Sequence, residues 1–400
     1  MVASDWLISV DDHVVEPPNI WTDRLPSKYA DVMPRVMTID GEERWVYEDR
    51  TAHTGGAISA TIGLSREQWG MRGLSYSEMA PGCYDPVARI QDMDEAGMLA
   101  SLNFPSAPRF CGQWFLEGKD KELALLGVKA WNDWHVDEWC ASAPGRFIPL
   151  MLIPLWDIPE AVKEIERMAA KGVRALAFSE QPASHVLKLP DIHEPYWEPV
   201  FSTCNDAGVV LCTHIGSSSY LPQISPLAPY MANTSWGATR TAGTMLNWLF
   251  SGLFIKYPNL KLSLAEGNIG WIPYFLERAE YVIERQRYWT NRGEKFDGQG
   301  AVHNNIPIDW DNYNIREAYH KHIYGCFLDD QAGLRLLDII GEDNVMVEVD
   351  YPHGDTTWPH SHKLMKERVS GLTPAQQHKI LRGNAERLFQ FTPAPNTPIA

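Results

Sequence analysis

Three short apolar runs in the sequence each end on residue types that bind metal ions. The runs LISVDDH, VVLCTH and VMVEVD end on Asp11 and His13, on His214, and on Asp350. Residues at the carboxyl ends of buried parallel strands face the mouth of an α/β barrel, where enzymes of this fold keep their active sites. Carboxylates and imidazoles that converge there predict a divalent cation.

Eight segments of the chain have the pattern of strands that are buried on both faces. They are short and rich in Val, Ile, Leu and Phe, and amphipathic helical patterns lie between most of them. This alternation predicts an α/β fold, a (β/α)8 TIM-type barrel with long loop insertions. The predicted strands are Trp6–Asp11, Leu99–Phe104, Phe147–Pro154, Val173–Phe178, Val209–His214, Leu260–Ala265, Ile323–Phe327 and Asn344–Asp350.

Three of the helical patterns are well defined. Pro159–Lys171 has apolar residues at helical spacing and is followed by Gly172, which is typical of a helix end. Lys119–Trp139 has the same period with a charged outer face. A third helix is expected to begin after Thr373, because Thr is a common N-cap and Pro374 suits the first helical position.

The length of 400 residues fits one barrel domain that spans residues 1–400 and carries insertions. The insertions are expected around residues 14–84, 216–236 and 288–319, which hold many of the Trp, Tyr, Pro and Gly residues. All three are expected beside strand exits, where insertions form lids, pocket walls or subunit contacts.

Charge and composition exclude several classes of protein. The net charge of −16, with no basic cluster, argues against nucleic acid as a partner. Neither a membrane helix nor a basic N-terminal signal region is apparent, so we expect a cytoplasmic protein with no membrane partner. The six cysteines are scattered without a CxxC pair, and we expect free thiols.

The motifs around these strand ends identify a family resemblance. DDHVVEPP, RIQDMDEAG, THIGSS and EVDYPHGDTTWPHS resemble the amidohydrolase superfamily, and specifically the branch that contains aminocarboxymuconate semialdehyde decarboxylase. The resemblance covers nearly the whole chain. It implies that Asp11, His13, His214 and Asp350 bind one divalent metal ion, Zn²⁺ or else Mn²⁺, Mg²⁺ or Fe²⁺. It also implies that this ion activates water, with Asp350 as the residue that holds the proton.

The sequence departs from the usual pattern of that family at two positions. Asp11 stands where most relatives have the first histidine of an HxH pair, and a hard oxygen ligand favours Mn²⁺, Mg²⁺ or Fe²⁺ beside Zn²⁺. Glu266 stands after the sixth strand, where relatives usually have a histidine. A carboxylate there can be a fifth ligand, a general base or a structural acid.

Further candidates lie next to the strand exits. His353 follows Asp350 by three residues. It is a partner that orients a metal ligand, an acid or base facing the substrate, or a loop histidine bonded to backbone. Arg240 can pair with a substrate carboxylate, or it is an ordinary surface or interface arginine. Four tryptophans are candidates for contact with a flat or cyclic substrate: Trp21, Trp236, Trp271 and Trp358.

The sequence leaves three functions open. The first is hydrolysis of a small cyclic or aromatic amide, ester or lactone, which is favoured because Glu266 replaces the expected histidine. The second is non-oxidative decarboxylation of an aromatic or unsaturated acid, and the third is a barrel that binds a ligand without turnover. Since members of the family are often dimers and the insertions carry bulky aromatic residues, a homo-oligomer acting on a small-molecule substrate is expected.

Overall fold

A computed structural model describes residues 6–56, 58–290 and 306–395 and contains all eight predicted strands in one parallel sheet. The order around the sheet follows the order along the chain, and the last strand pairs with the first through Ser9 and Val347. The predicted α/β barrel is therefore confirmed. Its strands are Leu7–Val14, Met98–Pro105, Phe147–Ile148 with Leu150–Met151, Ala175–Ser179, Val210–His214, Lys261–Ala265, Ile323–Phe327 and Val345–Val347.

The third strand closes the barrel and is interrupted at Pro149. Its first half pairs with the second strand at Phe147, and its second half pairs with the fourth strand at Leu150. Proline has no amide hydrogen to donate to a sheet ladder, so the break falls at Pro149. Each half pairs with one neighbouring strand, so the third strand links the second strand to the fourth and closes the sheet into a barrel.

Helices surround the barrel, and the three that the sequence predicted are present. The cap residues Asp120, Asp157 and Thr373 each accept a backbone hydrogen bond from the first turn of their helix. The α-helices are Pro86–Ala96, Gln113–Leu116, Lys121–Trp134, Ile158–Ala170, Glu198–Ala207, Tyr230–Ser235, Ala238–Leu249, Leu253–Lys256, Ile272–Thr290, Ile315–His322, Gln331–Arg335, Leu337–Ile340, Ser361–Arg368, Pro374–His378 and Asn384–Leu388. Shorter 3₁₀ turns and the π-helical segments His135–Trp139 and Lys379–Gly383 complete the described helices.

Two of the predicted insertions follow strand exits. Residues 14–84 contain an antiparallel sheet of three strands, Arg35–Ile39, Glu42–Tyr47 and Arg50–His53. Residues 216–236 follow the fifth strand and expose apolar side chains, among them Leu227 and Met231. Neither the predicted homo-oligomer nor the role of this exposed segment is tested, and both stay predictions.

The expectation for the third insertion, residues 288–319, is wrong in its described part. Residues 288–290 are the end of the helix Ile272–Thr290, and residues 306–314 lead into the helix Ile315–His322. That helix runs directly into the seventh strand at Ile323, so this connection reaches the start of a barrel strand rather than its exit. Residues 291–305 lie outside the described residues.

Trp21 is a core residue, so the expectation that it contacts substrate is also wrong. Its side chain is fully buried, packs edge-on against Trp45 and Phe115, and donates from Nε1 to the carbonyl oxygen of Gly127 at 3.0 Å. The indole joins the first insertion to the helix Lys121–Trp134. It stabilises the fold and offers no face to a ligand.

Two further features of the described residues concern membrane spans and cysteines. None of their helices combines the length and the apolar character needed to cross a bilayer. All six cysteines are buried as free thiols.

Replacing Trp21 with Ala tests its role in the core. The free energy of unfolding should fall by about 3–5 kcal/mol, because a large buried side chain and its hydrogen bond are lost. Urea denaturation measures this change, with Trp236→Ala at a partly exposed position as the control. A Trp21→Ala protein of undiminished stability would contradict the assignment.

Candidate metal centre

The barrel brings the four predicted ligands together from three distant parts of the chain. His13 Nε2 lies 3.3 Å from Asp350 Oδ1 and 3.3 Å from His214 Nε2. Asp11 Oδ1 lies 3.4 Å from His214 Nε2 and 3.8 Å from His13 Nε2. All four side chains are at most 1% exposed. Atoms at these separations can share a cation, since each metal–ligand bond is about 2.0–2.2 Å long. They form two overlapping groups that could hold an ion, Asp11 with His13 and His214, and His13 with Asp350 and His353.

Unpartnered atoms in this cluster fit a cation. Both carboxylate oxygens of Asp11 are buried and have no hydrogen-bond donor among the described residues. His214 Nδ1 lies 2.6 Å from the carbonyl oxygen of Ile215 and donates to it, so Nε2 is left with its lone pair directed at the other ligands. Buried carboxylates without donors are costly, and a divalent ion held by these atoms would relieve that cost.

The crowded charges shift the ionisation of the cluster. Burial, together with the charges of Asp350 and Asp12, raises the pKa of Asp11 well above its usual value. Burial and the charge of His353 hold the pKa of His13 well below its usual value, which keeps this imidazole neutral and able to bind a metal. Burial also acts to raise the pKa of Asp350, but the charge of His353 and hydrogen bonds from His13 and His353 outweigh it and lower the pKa.

Glu266 faces the cluster from the end of the sixth strand. Its Oε2 lies 3.5 Å from His214 Nδ1, and its side chain is 29% exposed towards the mouth of the barrel. Glu266 and Asp350 both have left-handed backbones, with φ of 59° and 56°, which is uncommon for residues other than glycine and is concentrated at functional sites. Burial raises the pKa of Glu266 well above its usual value. The charge of His214 acts to lower this pKa, and the charges of Asp350 and Asp11 raise it further.

His353 lies at the rim of the same cluster. Its Nδ1 is 3.0 Å from Asp350 Oδ1, and its ring stacks on that of His13 with the centroids 3.7 Å apart. The side chain is 17% exposed. His353 therefore contacts a predicted ligand directly, and the alternative of a loop histidine bonded only to backbone is not what the structure shows.

Phe110 forms an apolar wall that the sequence did not reveal. Its ring stacks on His214 with centroids 4.2 Å apart and meets His13 edge-on at 5.8 Å. Gly216, with φ of 91°, allows this contact, because a Cβ at that position would lie 2.9 Å from the Phe110 ring. A phenylalanine in a loop has no distinguishing sequence pattern, and only the packing of two loops places it here.

Asp12 points away from the cluster, as the alternation of a strand predicts, and fixes its backbone. One carboxylate oxygen accepts from the Ser101 hydroxyl, and the other accepts from the Tyr351 amide at 2.9 Å. The Tyr351 carbonyl in turn accepts from the His13 amide at 2.6 Å. These bonds hold the first strand against the loop that carries Asp350 and His353.

Arg240 forms a buried ion pair within the scaffold, and its pairing with a substrate carboxylate stays a prediction. Its Nη2 lies 2.5 Å from Glu180 Oε1 and 2.5 Å from Ser218 Oγ, and its Nη1 donates to the Tyr220 carbonyl. The Arg240 and Glu180 side chains are 6% and 4% exposed. The pair holds the start of the insertion 216–236 against the end of the fourth strand.

Three predicted tryptophans remain candidates for substrate contact. Trp271 donates from Nε1 to the Gly267 carbonyl at 2.7 Å, next to Glu266 in sequence. Trp358 donates to the Asp92 carbonyl at 2.9 Å, and Trp236 is 46% exposed on the second insertion. None of these contacts reaches the predicted ligands, so substrate binding by these residues stays a prediction.

Comparison with known sequences agrees with this geometry. A family model described as Amidohydrolase matches residues 21–391. A gamma-resorcylate decarboxylase from Rhizobium sp. (strain MTP-10005) is 25% identical over 314 residues, which cover 76% of this chain and 86% of the relative. A 2-amino-3-carboxymuconate-6-semialdehyde decarboxylase from Dictyostelium discoideum is 24% identical over 329 residues, covering 80% of this chain and 81% of the relative.

Solved structures share the fold. An amidohydrolase from Mycobacterium avium subsp. paratuberculosis K-10 superposes with a TM-score of 0.69 at 20% identity and covers 96% of this chain and 99% of its own. A dihydroxybenzoic acid decarboxylase from Polaromonas sp. JS666, with bound manganese and the inhibitor 2-nitroresorcinol, gives a TM-score of 0.58 at 17% identity, with coverages of 96% and 97%.

Replacing His214 with Ala should lower the affinity for a divalent cation at least tenfold, because one nitrogen ligand is removed. Elemental analysis of the protein after dialysis against limiting Mn²⁺ or Zn²⁺ measures the bound metal. His378→Ala, at an exposed position in the helix Pro374–His378, is the matched control. Equal metal content in both variants would remove His214 from the ligand set.

Replacing Arg240 with Met should destabilise the fold by about 3–5 kcal/mol, because Glu180 is left as a buried charge without its partner. The double variant Arg240→Met/Glu180→Gln should recover part of that loss. Urea denaturation of the two single variants and the double variant measures both effects. Unchanged stability with a raised KM for a carboxylate substrate would instead restore the substrate role.

Proposed function

Because this chain belongs to the amidohydrolase family, we propose that it is a metal-dependent decarboxylase of a small aromatic carboxylic acid with a hydroxyl group next to the carboxylate. The observation that carries the proposal is the flat wall of Phe110 against His214, beside a cation-binding cluster at the barrel mouth. An aromatic ring can pack against this wall with its polar groups at the cluster. The relatives named for decarboxylation of gamma-resorcylate and aminocarboxymuconate semialdehyde support the same reaction.

Asp11, His13, His214 and Asp350 would hold the divalent ion in this proposal. When bound, the ion supplies positive charge that binds a substrate carboxylate and its neighbouring oxygen. The manganese and 2-nitroresorcinol in the Polaromonas structure support this class of ligand, since a nitro group has the shape of a carboxylate. Carboxylate and imidazole ligands suit Mn²⁺ and Zn²⁺, and we propose one of these as the native metal.

Glu266 and His353 are the residues of the cluster best placed to move a proton. Their side chains are 29% and 17% exposed, whereas the four ligands are fully buried.

Decarboxylation requires a proton to bond to the ring carbon that bears the carboxylate. The electrons of the breaking carbon–carbon bond return to the ring, and the carboxyl group leaves as CO2. We assign proton donation to Glu266, and His353 holds Asp350 in place through its 3.0 Å contact.

Hydrolysis, which the sequence favoured, is the second candidate. An ion held by the same residues would supply the charge that activates water, and Glu266 is placed to accept the proton of that water. The decarboxylase relatives support lyase chemistry more directly, so hydrolysis becomes the alternative that the assay must test. A barrel that binds a ligand without catalysing a reaction is the third possibility, and the same assay tests it. The cytoplasmic location and the homo-oligomer also stay predictions.

The metal-loaded protein should release CO2 from 2,6-dihydroxybenzoate or a related hydroxybenzoate. In D2O the product should carry one deuterium on the carbon that held the carboxylate, because the proton comes from an exchangeable acid. Glu266→Gln should lower kcat about 10²-fold or more with its bound metal retained. Glu67→Gln, at an exposed position, is the matched control.

Two results would contradict the proposal. Turnover of lactones or anilides with no CO2 from any hydroxybenzoate would establish the hydrolase. Tight metal binding without turnover of either class of substrate would establish the ligand-binding barrel.

A further inference from the structure

A second group of potential ligands lies one layer below the predicted metal centre. Glu348 precedes Asp350 by two residues, and Cys326 lies on the neighbouring seventh strand; both are fully buried. Cys326 Sγ is 2.5 Å from Glu348 Oε2, which also accepts from the Glu266 amide at 3.0 Å. A carboxylate oxygen of Asp11 lies within 4.8 Å of the ligand atoms of both residues.

Several atoms of this lower group lack partners. Glu348 Oε1 and both oxygens of Asp11 are buried without a hydrogen-bond donor among the described residues. A buried acid of this kind is retained when it is paired, protonated or bound to a cation. Because the unpartnered oxygens come from two different strands and converge with a thiol, they form a potential site rather than an isolated acid.

Asp11, Glu266, Glu348 and Asp350 are four acids whose charges influence one another. The ion pairs that Asp11, Glu266 and Asp350 form with described residues are all with histidines, and no lysine or arginine takes part.

We propose that Asp11, Cys326 and Glu348 bind a second divalent cation directly below the first, with the Asp11 carboxylate bridging the two ions. Asp11 Oδ1 faces His13 and His214, so Oδ2 is free to bind the lower ion. A histidine at this position would present one nitrogen to the cluster, whereas aspartate has two oxygens. The bridge therefore gives a physical reason for Asp11 in place of the usual histidine.

The ligand set selects the kind of metal. A cysteine sulfur with two carboxylates suits Zn²⁺, Co²⁺ or Fe²⁺ better than Mg²⁺ or Ca²⁺, because thiolate is a soft ligand. Binding requires the Cys326 thiol to release its proton to solvent as the sulfur–metal bond forms. The lower site needs no substrate, so the inference does not depend on the reaction proposed above.

Loading the metal-free protein with Co²⁺ tests the lower site without an activity assay. The wild-type chain should bind two Co²⁺ ions and show a thiolate-to-cobalt charge-transfer band in the near ultraviolet. Cys326→Ser should bind one Co²⁺ and lose the band, and Glu348→Gln should bind one. Cys140→Ser, which removes another buried thiol, should keep two ions and the band.

The upper site is tested separately by His214→Ala, which should lose the upper ion and keep the charge-transfer band. The experiment therefore distinguishes a protein that lacks only the upper ion from one that lacks only the lower ion. Saturation of the wild-type protein at one Co²⁺ per chain, or a band that survives Cys326→Ser, would overturn the second site. Circular dichroism checks that Cys326→Ser is folded. If it is not, the number of Co²⁺ ions bound by the wild-type protein and its charge-transfer band test the second site without this variant.

Discussion

Mutual repulsion among buried carboxylates is the constraint on which the centre of this barrel depends. Asp11 and Asp350 are fully buried beside the same imidazole, with their Oδ1 atoms 3.8 and 3.3 Å from His13 Nε2. Water cannot hydrate them there, so the fold needs positive charge or protons at this place. The imidazoles of His13 and His214 complete a ligand set for a cation, and the proposed lower site extends the same reasoning to Glu348. In the proposed function, the ion that offsets the unfavourable burial of these acids is also the ion that binds the substrate.

The loops around the mouth are fixed to one another, which gives the site a defined shape. Gly216 allows the loop after the fifth strand to pack on Phe110, and Phe110 lies flat on His214. The buried pair of Arg240 and Glu180 anchors the same loop to the fourth strand. The Arg240 guanidinium is occupied by Glu180 and Ser218 in this structure. In the proposed function, the Phe110 ring and the partly exposed Glu266 and His353 are the groups that would face the substrate.

Prediction succeeded where a residue's environment follows from its position on a strand. The apolar runs defined the strands, and side-chain alternation placed Asp11 and His13 together with Asp12 on the other side. It failed for residues whose environment depends on the path of a loop. Trp21 is buried by a helix more than a hundred residues away, and the described part of the insertion 288–319 leads to the opposite end of the barrel. Side-chain type alone does not encode either outcome.

The sequence by itself determined the eight strands and the closed α/β barrel, and it predicted which side chains meet at the strand ends, because strand period and strand order follow from local apolar patterning. Only the tertiary structure decided that Phe110 lies against His214, that Glu180 neutralises Arg240, and that Cys326 and Glu348 lie beneath Asp11. Those contacts join strands and loops far apart in the chain. Their geometry depends on the paths of the loops and on the packing of neighbouring strands. A local sequence pattern predicts neither of these.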